Sequence, residues 1–381
     1  MHLNVLSENL ISHRLRPCKK HLYDVYYKEY VFLFPIQEFL QAMIIRESAF
    51  PRAALIGNPS DGYHGKTIAF VFNNYSADVT LYETPELELL PAHRDSSVFK
   101  NMDALTEEVR LHGYYGGIRL LKAAINRFNR YCREQGTTLP DRNFTIRYAS
   151  NIPNRLGLAG SSAIITAAMR ALFKFYDLEI SPARLANLVL ATERDELSIP
   201  AGLQDRVAQA YNTPVFMDFN KEYMDQYGFG IYRAITIPED LKLYVAYRTD
   251  LAEGSEILHS RLRDDYESGV PAVRDAMKEW AELTEKLLDS MNSGNLSAIP
   301  GLINRNFDLR LEVCRTSISA MNRKMVEVAR STGASAKFTG SGGAIIGTYE
   351  DDNMFARLCR ACKEHGIEVV KPQIVTEGNA E

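Results

Sequence analysis

The chain is poor in cysteine and has no long apolar run. Its five cysteines among 381 residues are odd in number and scattered, a usage typical of a reducing compartment and not of a secreted disulfide framework. No apolar stretch approaches the roughly 18 residues of a membrane-spanning helix, and the N-terminus lacks the basic-then-apolar order of a signal peptide. We therefore expect a cytoplasmic protein that has no membrane partner.

An excess of charge of one sign is also absent. Lys and Arg number 44 and Asp and Glu number 48, which gives a net charge of −4 without long runs of one sign. Because a nucleic-acid-binding surface needs a basic patch or stripe, we expect no nucleic-acid partner. The apolar share of 46% is that of an ordinary globular chain, and the length suggests two domains.

The order of the predicted elements favours an α+β fold. Strand-like runs and helical patterns alternate irregularly after Met43, which argues against a doubly wound parallel sheet. Met43 is also a candidate natural start, and the character of the chain changes after Asp218. The predicted divisions are an N-terminal extension of unassigned role at residues 1–42, an N-terminal domain at 43–225, a C-terminal domain at 226–375 and a tail at 376–381.

A glycine-bearing loop in the segment 153–163 runs directly into a predicted apolar helix. Glycine lets the backbone approach a large anion closely, and the start of a helix points unpaired N–H groups and a positive dipole end at the loop. The Gly-Lys-Ser/Thr ending of a Walker A loop is missing. Two interpretations stay open for this segment alone: a phosphate cradle, or a helix start capped by Ser161.

A second glycine-rich loop lies between two predicted strands near the C-terminus. It reads Gly340-Ser341-Gly342-Gly343, which is compatible with a simple hairpin turn. Two such loops in one chain also suggest that phosphates or a nucleotide are held from both sides.

Two acidic residues stand at helix ends where phosphoryl transfer could use them. Glu193 ends a helix predicted over 181–194, and Asp205 begins one predicted over 203–211. The helix N-terminus and the adjacent Arg206 would keep Asp205 ionised. Phosphoryl transfer needs one carboxylate to accept a hydroxyl proton and another to hold Mg²⁺. Taken alone, each acid fits a solvated surface charge better than a catalytic role.

Three segments, in this order, resemble the signatures of the GHMP kinase superfamily. The first reads Pro-Arg-x-x-Leu-Ile-Gly from Pro51, the second is the central glycine loop, and the third reads Lys-Phe-Thr-Gly-Ser-Gly-Gly-Ala from Lys337. The resemblance runs from about Met43 to about Val375. Within the superfamily the chain is most similar to the glucuronokinases, which phosphorylate the anomeric hydroxyl of D-glucuronate. The segments that carry this likeness are residues 57–61, 201–209, 304–310 and 321–343.

The resemblance implies a fold and an activity. The fold would have two domains, with the active site in the cleft between an N-terminal α/β domain and a C-terminal ferredoxin-like α+β domain. The activity would be transfer of the γ-phosphoryl group of ATP, with Mg²⁺, to C1 of a sugar acid, D-glucuronate above all. Asn58-Pro59 stand where galactokinases would have Glu-His, which argues against galactose. The alternatives are a GHMP kinase for a neutral aldose, a heptose phosphate or mevalonate, and a non-catalytic sugar or nucleotide sensor.

The resemblance also assigns roles to residues. Asp205 would orient the sugar hydroxyl and accept its proton, beside Arg52, which would stabilise charge on the transferring phosphoryl group. Ser162 and Glu193 would coordinate Mg²⁺. The residues implied in ATP binding are Pro153, Gly157, Leu158, Ala159, Gly160, Ser161, Ser162, Gly340, Ser341 and Gly342. Those implied in substrate binding are Asn58, Asp61, Arg206 and Arg305.

A uronic acid carries a charge that a neutral sugar lacks, so its site should contain a cation beyond those that serve ATP. Arg155, Arg206, Arg305 and Lys337 are the candidates. Arg305 lies in a predicted helix within reach of Asp308. The alternative for this helix face is an exposed surface with local ion pairs.

Overall fold

The structure is a computed structural model, and it describes residues 44–92, 95, 116–154, 156–248, 256–314 and 318–376, with residues 256–261 described by their backbone alone. The predicted N-terminal extension, the candidate start Met43 and most of the predicted tail lie outside these ranges, as does Arg155. No helix in the described ranges is both long enough and apolar enough to cross a bilayer.

Strands and helices alternate irregularly along the chain. The strands are β1 (Ile45–Ala49), β2 (Arg52–Ile56), β3 (Lys66–Val71), β4 (Ala77–Thr84), β5 (Glu88–Leu90), β6 (Asn143–Ser150), β7 (Val215–Asp218), β8 (Ile231–Ala234), β9 (Leu243–Tyr247), β10 (Lys337–Phe338), β11 (Ala344–Thr348) and β12 (Glu368–Val370). The helices are α1 (Gly117–Glu134), α2 (Gly160–Phe175), α3 (Pro182–Ala191), α4 (Leu203–Tyr211), α5 (Lys221–Tyr227), α6 (Glu256–Glu267), α7 (Pro271–Asn292), α8 (Ile299–Cys314), α9 (Ala320–Ser331) and α10 (Asp352–Lys363).

The described strands form three four-stranded sheets. Their orders are β1-β4-β6-β5, β2-β3-β7-β8 and β10-β11-β9-β12. The β5–β6 pairing is parallel, and the other described pairings between these strands are antiparallel. This largely antiparallel arrangement with helices packed beside it confirms the predicted α+β class.

The helix after the central glycine loop is deeply buried. Helix α2 packs against β1 and β4 on one side and against α1, α3 and α4 on others, and twelve of its sixteen residues are buried. A helix that is apolar on most of its surface is stable only when it is enclosed in this way. Its enclosure fixes the position of its N-terminus, and with it the loop that precedes it.

Strand β2 is an edge strand of its sheet, and its outer edge meets both glycine loops. The Arg52 N–H donates to Leu158 O at 3.0 Å, and the Ala54 N–H donates to Thr339 O at 3.1 Å. Alternate residues of a strand point their N–H groups to the same side, which is why both loops can bind to one edge. Three segments that are distant in sequence are thereby brought together.

The helix predicted over 181–194 is divided. Helix α3 ends at Ala191, and the chain continues as a π-helical turn over Thr192–Glu196, which contains Glu193. Such turns mark functional positions more often than ordinary helix does.

The predicted division at residues 225–226 falls within α5, a surface helix without buried residues. Strand β8, which follows α5, pairs with β7 and completes the sheet of β2 and β3. The change in sequence character after Asp218 therefore coincides with the exposed helix α5. The sheet of β2 and β3 continues after this helix, with β8. The structure also contains α5 and β5, two short elements that the sequence does not predict.

Gly57, at the end of β2, is required by its conformation and by its surroundings. Its φ is +92°, and a Cβ atom there would overlap Lys66 O and Thr284 Oγ1. We expect Gly57→Ala to lower the free energy of unfolding by roughly 2–4 kcal/mol, because strain and overlap add. Urea denaturation of the variant measures this loss.

Gly136 supplies the matched control. Its φ is +69°, but a Cβ atom there would meet nothing within 4 Å. Gly136→Ala should therefore cost only about 1 kcal/mol, the cost of the left-handed conformation itself. Equal losses in the two variants would show that packing around Gly57 contributes nothing.

Candidate active site

A cavity of about 350 Å³ lies at the outer edge of β2, between the two glycine loops. Its wall includes residues of both loops, of the β2–β3 connection and of the start of α4. A volume of this size is within the range of small-molecule sites. The cavity is therefore the candidate site for a small substrate and a phosphate-bearing ligand.

The two glycine loops touch each other across the cavity rim. A Cβ atom on Gly157, whose φ is +66°, would lie 2.9 Å from Gly342 O, and one on Gly340 would lie 2.8 Å from Gly157 O. Contact distances this short leave no room for a side chain at either position. The second loop is thus more than a hairpin turn, because its backbone forms one side of the cavity.

The start of α2 faces the cavity without a capping side chain. The helix begins at Gly160, its N-cap residue is Ala159 with a φ of 63°, and no side chain accepts a hydrogen bond there. Ser161 is therefore not the N-cap that one interpretation of the sequence proposed. Gly160, Ser161 and Ser162 line the cavity instead, and uncapped N–H groups at a helix start favour an anion.

Four charged side chains form an alternating chain in the cavity wall. The Arg52 Nη2 atom lies 2.6 Å from Asp205 Oδ1, and the Arg206 Nη1 atom lies 3.2 Å from Asp205 Oδ2. Arg206 Nε also donates to Glu193 Oε2 at 2.6 Å. Arg52 is 3% exposed and Glu193 1% exposed, so these contacts are shielded from water. Each cation thus has a carboxylate partner.

The pKa values of the two carboxylates, Asp205 and Glu193, are shifted in opposite directions. Burial alone would raise the pKa of Asp205, but the Arg52 and Arg206 guanidiniums outweigh it and hold that pKa below its usual range. For Glu193 burial prevails, and its pKa is raised despite Arg206. Asp205 is therefore an anion at neutral pH and a weak base.

Asp61 lies beside these four charged side chains and has a different electrostatic environment. Burial and the negative charge of Asp205 raise its pKa to about 7, against the opposing effect of Arg52. Its carboxyl lies close to Gly202, at the start of α4, where a Cβ atom would be 2.9 Å from Asp61 Oδ2. Near neutral pH this group can both donate and accept hydrogen bonds, which suits a hydroxyl-bearing ligand.

The structure places most of the predicted site residues in one cavity wall. Gly342 touches the central loop but does not line the cavity. The predicted residues that do line it are Arg52, Asn58, Asp61, Pro153, Gly157, Leu158, Ala159, Gly160, Ser161, Ser162, Glu193, Asp205, Arg206, Gly340 and Ser341.

Two of the predicted cations do not line the cavity. Arg305 donates from Nε to Glu279 and from Nη1 to Glu312, each at 2.6 Å, so its charge is already paired on the surface of α8. Its expected neighbour Asp308 pairs with Arg330 instead. The expectation of a substrate-facing Arg305 is corrected accordingly, and the alternative of local ion pairs describes this helix face.

Lys337 is fully buried, and its side-chain nitrogen contacts backbone carbonyl groups. The Nζ atom donates to Ala54 O at 2.6 Å and to Phe338 O at 2.9 Å. Burial pushes the pKa of Lys337 well below its usual range, and the nearby Arg310 and Arg52 charges add to this effect. Lys337 therefore supports β10 and is not a cavity cation.

Arg310 and Gln204 are cavity residues that the sequence did not single out. Gln204 hydrogen-bonds to Asp205, and its Oε1 atom is buried without a partner among the described residues. Arg310 is five residues after Arg305, about 140° around the helix at 100° per residue. Helical spacing alone would have separated the two arginines, but it could not say which one faces the site.

Comparison with known proteins identifies the class. Residues 119–213 match the model of the GHMP kinases N terminal domain. The chain is 41% identical over 339 residues to the probable glucuronokinase 2 of Arabidopsis thaliana, an alignment that covers 86% of this chain and 91% of the relative. The chain therefore belongs to the GHMP kinases.

A second relative and a solved structure agree with this assignment. Glucuronokinase 1 of Arabidopsis thaliana is 40% identical over 306 residues, which is 79% of this chain and 84% of the relative. The crystal structure of Lactococcus lactis galactokinase complexed with galactose superposes with a TM-score of 0.68 at 15% identity, over 88% of this chain and 94% of that one. At that identity the likeness shows the shared fold.

The raised pKa of Asp61 makes stability depend on pH. An acid whose pKa is about 7 in the folded protein and about 3.9 in an unfolded chain binds more protons when folded between these values. Raising the pH through this interval therefore lowers the free energy of unfolding. Asp61→Asn removes this loss. The melting temperature of the variant, relative to that of the unsubstituted protein, should therefore increase as the pH is raised from 5 to 8.

The exposed Asp240 on the surface gives the control. The melting temperature of Asp240→Asn should follow that of the unsubstituted protein at both pH values. A constant difference between Asp61→Asn and the unsubstituted protein across this range would contradict the raised pKa.

Proposed function

We propose that this protein transfers the γ-phosphoryl group of ATP to the anomeric C1 hydroxyl of D-glucuronate. The observation that carries the proposal is the Arg52–Asp205 ion pair, with its 2.6 Å contact, in a cavity walled by both glycine loops. The names of the two Arabidopsis relatives support the same acceptor. A base beside a phosphate cradle is what a kinase needs and a sensor does not.

ATP would place its phosphates between the two glycine loops. The uncapped N–H groups at the start of α2 and the backbone of Gly157 and Gly160 would donate to them on one side. Gly340 and Ser341 would shape the opposite side. The close contact of the loops supports this arrangement, because it leaves backbone rather than side chains at the rim.

Asp205 would orient the acceptor hydroxyl and take its proton. The hydroxyl oxygen forms the new bond to the γ-phosphorus, the bond from that phosphorus to the β,γ-bridging oxygen breaks, and ADP leaves. Since the pKa of Asp205 is held low by Arg52 and Arg206 against the effect of burial, proton removal would lag behind bond formation. That order suits a loose transition state, in which positioning and the charge of Arg52 count most.

Ser162 and Glu193 would hold the Mg²⁺ ion that accompanies ATP. Both line the cavity with oxygen donors, and the Arg206 contacts with Glu193 go to Oε2, so they do not occupy Oε1. The described residues contain no group of three metal-binding side chains, and Mg²⁺ commonly takes only one or two protein carboxylates and completes its shell with phosphates and water. When bound, the ion neutralises phosphate charge.

We also place the protein in the cytoplasm as a proposal. Its support is the odd and scattered set of five cysteines. Within the described residues no disulfide joins Cys132, Cys314, Cys359 and Cys362. Fractionation of the native protein from its cells tests the compartment.

An acceptor screen tests the activity. Consumption of ATP is measured with uronates, neutral aldoses and mevalonate, and the position of phosphate in the product is read by nuclear magnetic resonance. We expect turnover with D-glucuronate and phosphate on C1. Turnover only with a neutral aldose or mevalonate, or phosphate on another oxygen, would contradict the proposed acceptor.

Replacing the proposed base tests the chemistry. Asp205→Asn should lower kcat by roughly 10²- to 10⁴-fold with ATP binding largely kept, because the amide cannot accept the hydroxyl proton. Steady-state kinetics and a nucleotide-binding titration measure both. Asp225→Asn, at an exposed position on α5, should behave like the unsubstituted enzyme. Near-normal turnover of Asp205→Asn would remove Asp205 from this role.

The proposed metal ligand is tested by its dependence on Mg²⁺. Glu193→Gln should raise the Mg²⁺ concentration needed for half-maximal rate, because a neutral amide is a weaker ligand than a carboxylate. Activity is titrated with Mg²⁺ at saturating ATP, with Glu222→Gln on the exposed side of α5 as the control. An unchanged titration in Glu193→Gln would count against this ligand.

A further inference from the structure

Arg310 is a buried cation of the cavity wall that has no carboxylate partner among the described residues. It is 2% exposed and lies on α8. The other two arginines that line the cavity, Arg52 and Arg206, are both paired with carboxylates. An unpaired buried charge is costly in a folded protein. A cation left in this state beside a ligand cavity is therefore suited to an anionic ligand.

The surrounding structure holds the guanidinium in place without neutralising it. Arg310 donates from Nη1 to Gly340 O at 2.8 Å and from Nη2 to Ser341 O at 3.4 Å. Its Cζ atom lies 5.1 Å from the centre of the Phe338 ring. These contacts use two of the five N–H groups of an arginine, and Nε is buried without a partner among the described residues.

Arg310 lies beside Asn58 in the cavity wall. Asn58 also donates to Gly340 O, at 3.4 Å, so the two side chains meet at one carbonyl oxygen. The Asn58 Oδ1 atom is buried and unpartnered among the described residues. Asp61, three residues further along, is close enough for its charge to act on Arg310. Arg310 thus lies near Asn58 and Asp61, two of the four residues that the resemblance assigns to substrate binding.

We propose that Arg310 binds the carboxylate of the sugar-acid acceptor and so selects uronates over neutral sugars. This inference rests on the proposed function, because it assumes that the acceptor occupies this cavity. A carboxylate would accept hydrogen bonds from the N–H groups that Gly340 and Ser341 leave unused, and charge-assisted bonds of this kind are the stronger class. The sugar hydroxyls would then face Asn58 and Asp61.

Two acceptors of nearly the same shape, one charged and one neutral, test the proposal. D-Glucuronamide replaces the carboxylate of D-glucuronate by a neutral amide of nearly the same shape. We expect the unsubstituted enzyme to have a kcat/KM roughly 10- to 100-fold higher for D-glucuronate, the usual range for a hydrogen bond to a charged group. Arg310→Gln should abolish this preference by losing activity toward D-glucuronate, with the KM for ATP and activity toward D-glucuronamide nearly unchanged.

A structural role of Arg310 would have a different effect. If Arg310 only holds the loop of Gly340 and Ser341, or serves the ATP phosphates, Arg310→Gln will lower the rates with both acceptors equally or raise the KM for ATP. Either result would overturn the proposal. Arg357→Gln, a matched change at an exposed position on α10, should leave both acceptor preferences and the KM for ATP as they were.

Binding measurements separate this proposal from the proposed function. Calorimetric titration with each acceptor, in the presence of a non-hydrolysable ATP analogue, should show tighter binding of D-glucuronate in the unsubstituted protein and none of that preference in Arg310→Gln. Arg310→Lys keeps the charge and should retain part of the preference for D-glucuronate. It is the variant to test if Arg310→Gln does not fold. Equal affinities of the unsubstituted protein for both acceptors would overturn the role of Arg310. Preferential binding without turnover would overturn only the kinase activity.

Discussion

The outer edge of β2 is the constraint on which the site depends. Two backbone N–H groups of this strand bind Leu158 O and Thr339 O, and the side chain of its first residue, Arg52, reaches Asp205 on α4. Segments that are more than 180 residues apart in sequence are thereby held within hydrogen-bonding distance of one strand. Without that edge, neither glycine loop would have a fixed place relative to the carboxylate.

The alternation of charge along the cavity wall has a cost and a benefit. Burying four charges is tolerable only because each cation, Arg52 and Arg206, has a carboxylate beside it. The same pairing makes Asp205 a weak base, whereas burial keeps the pKa of Glu193 raised despite its contact with Arg206. The arrangement therefore fits chemistry that depends on position and on fixed charge more than on strong proton abstraction.

Local sequence predicted the parts of the site whose chemistry is local. The glycine loops and the acids at the helix ends are visible because each departs from what a plain helix or strand would carry. Helix α4 was predicted with its observed bounds. The α+β class followed from the irregular order of the elements.

The remainder depends on tertiary contacts that spacing does not encode. Arg305 is paired with Glu279 on a neighbouring helix, so the sequence could not say that its charge was already used. Arg310 faces the cavity because of how α8 packs. The short elements α5 and β5 have too few residues for a periodic pattern. The π-helical turn that contains Glu193 likewise has no local signature.

The hydrogen bonds at the outer edge of β2 have one more consequence. A bare strand edge is a template on which another chain can add, and proteins usually blunt such edges with charge, proline or a covering segment. Here Leu158 O and Thr339 O occupy the N–H groups that would otherwise be free. The loops that form the cavity thus also shield this protein from edge-to-edge aggregation, so a lesion that loosens them would threaten solubility as well as turnover.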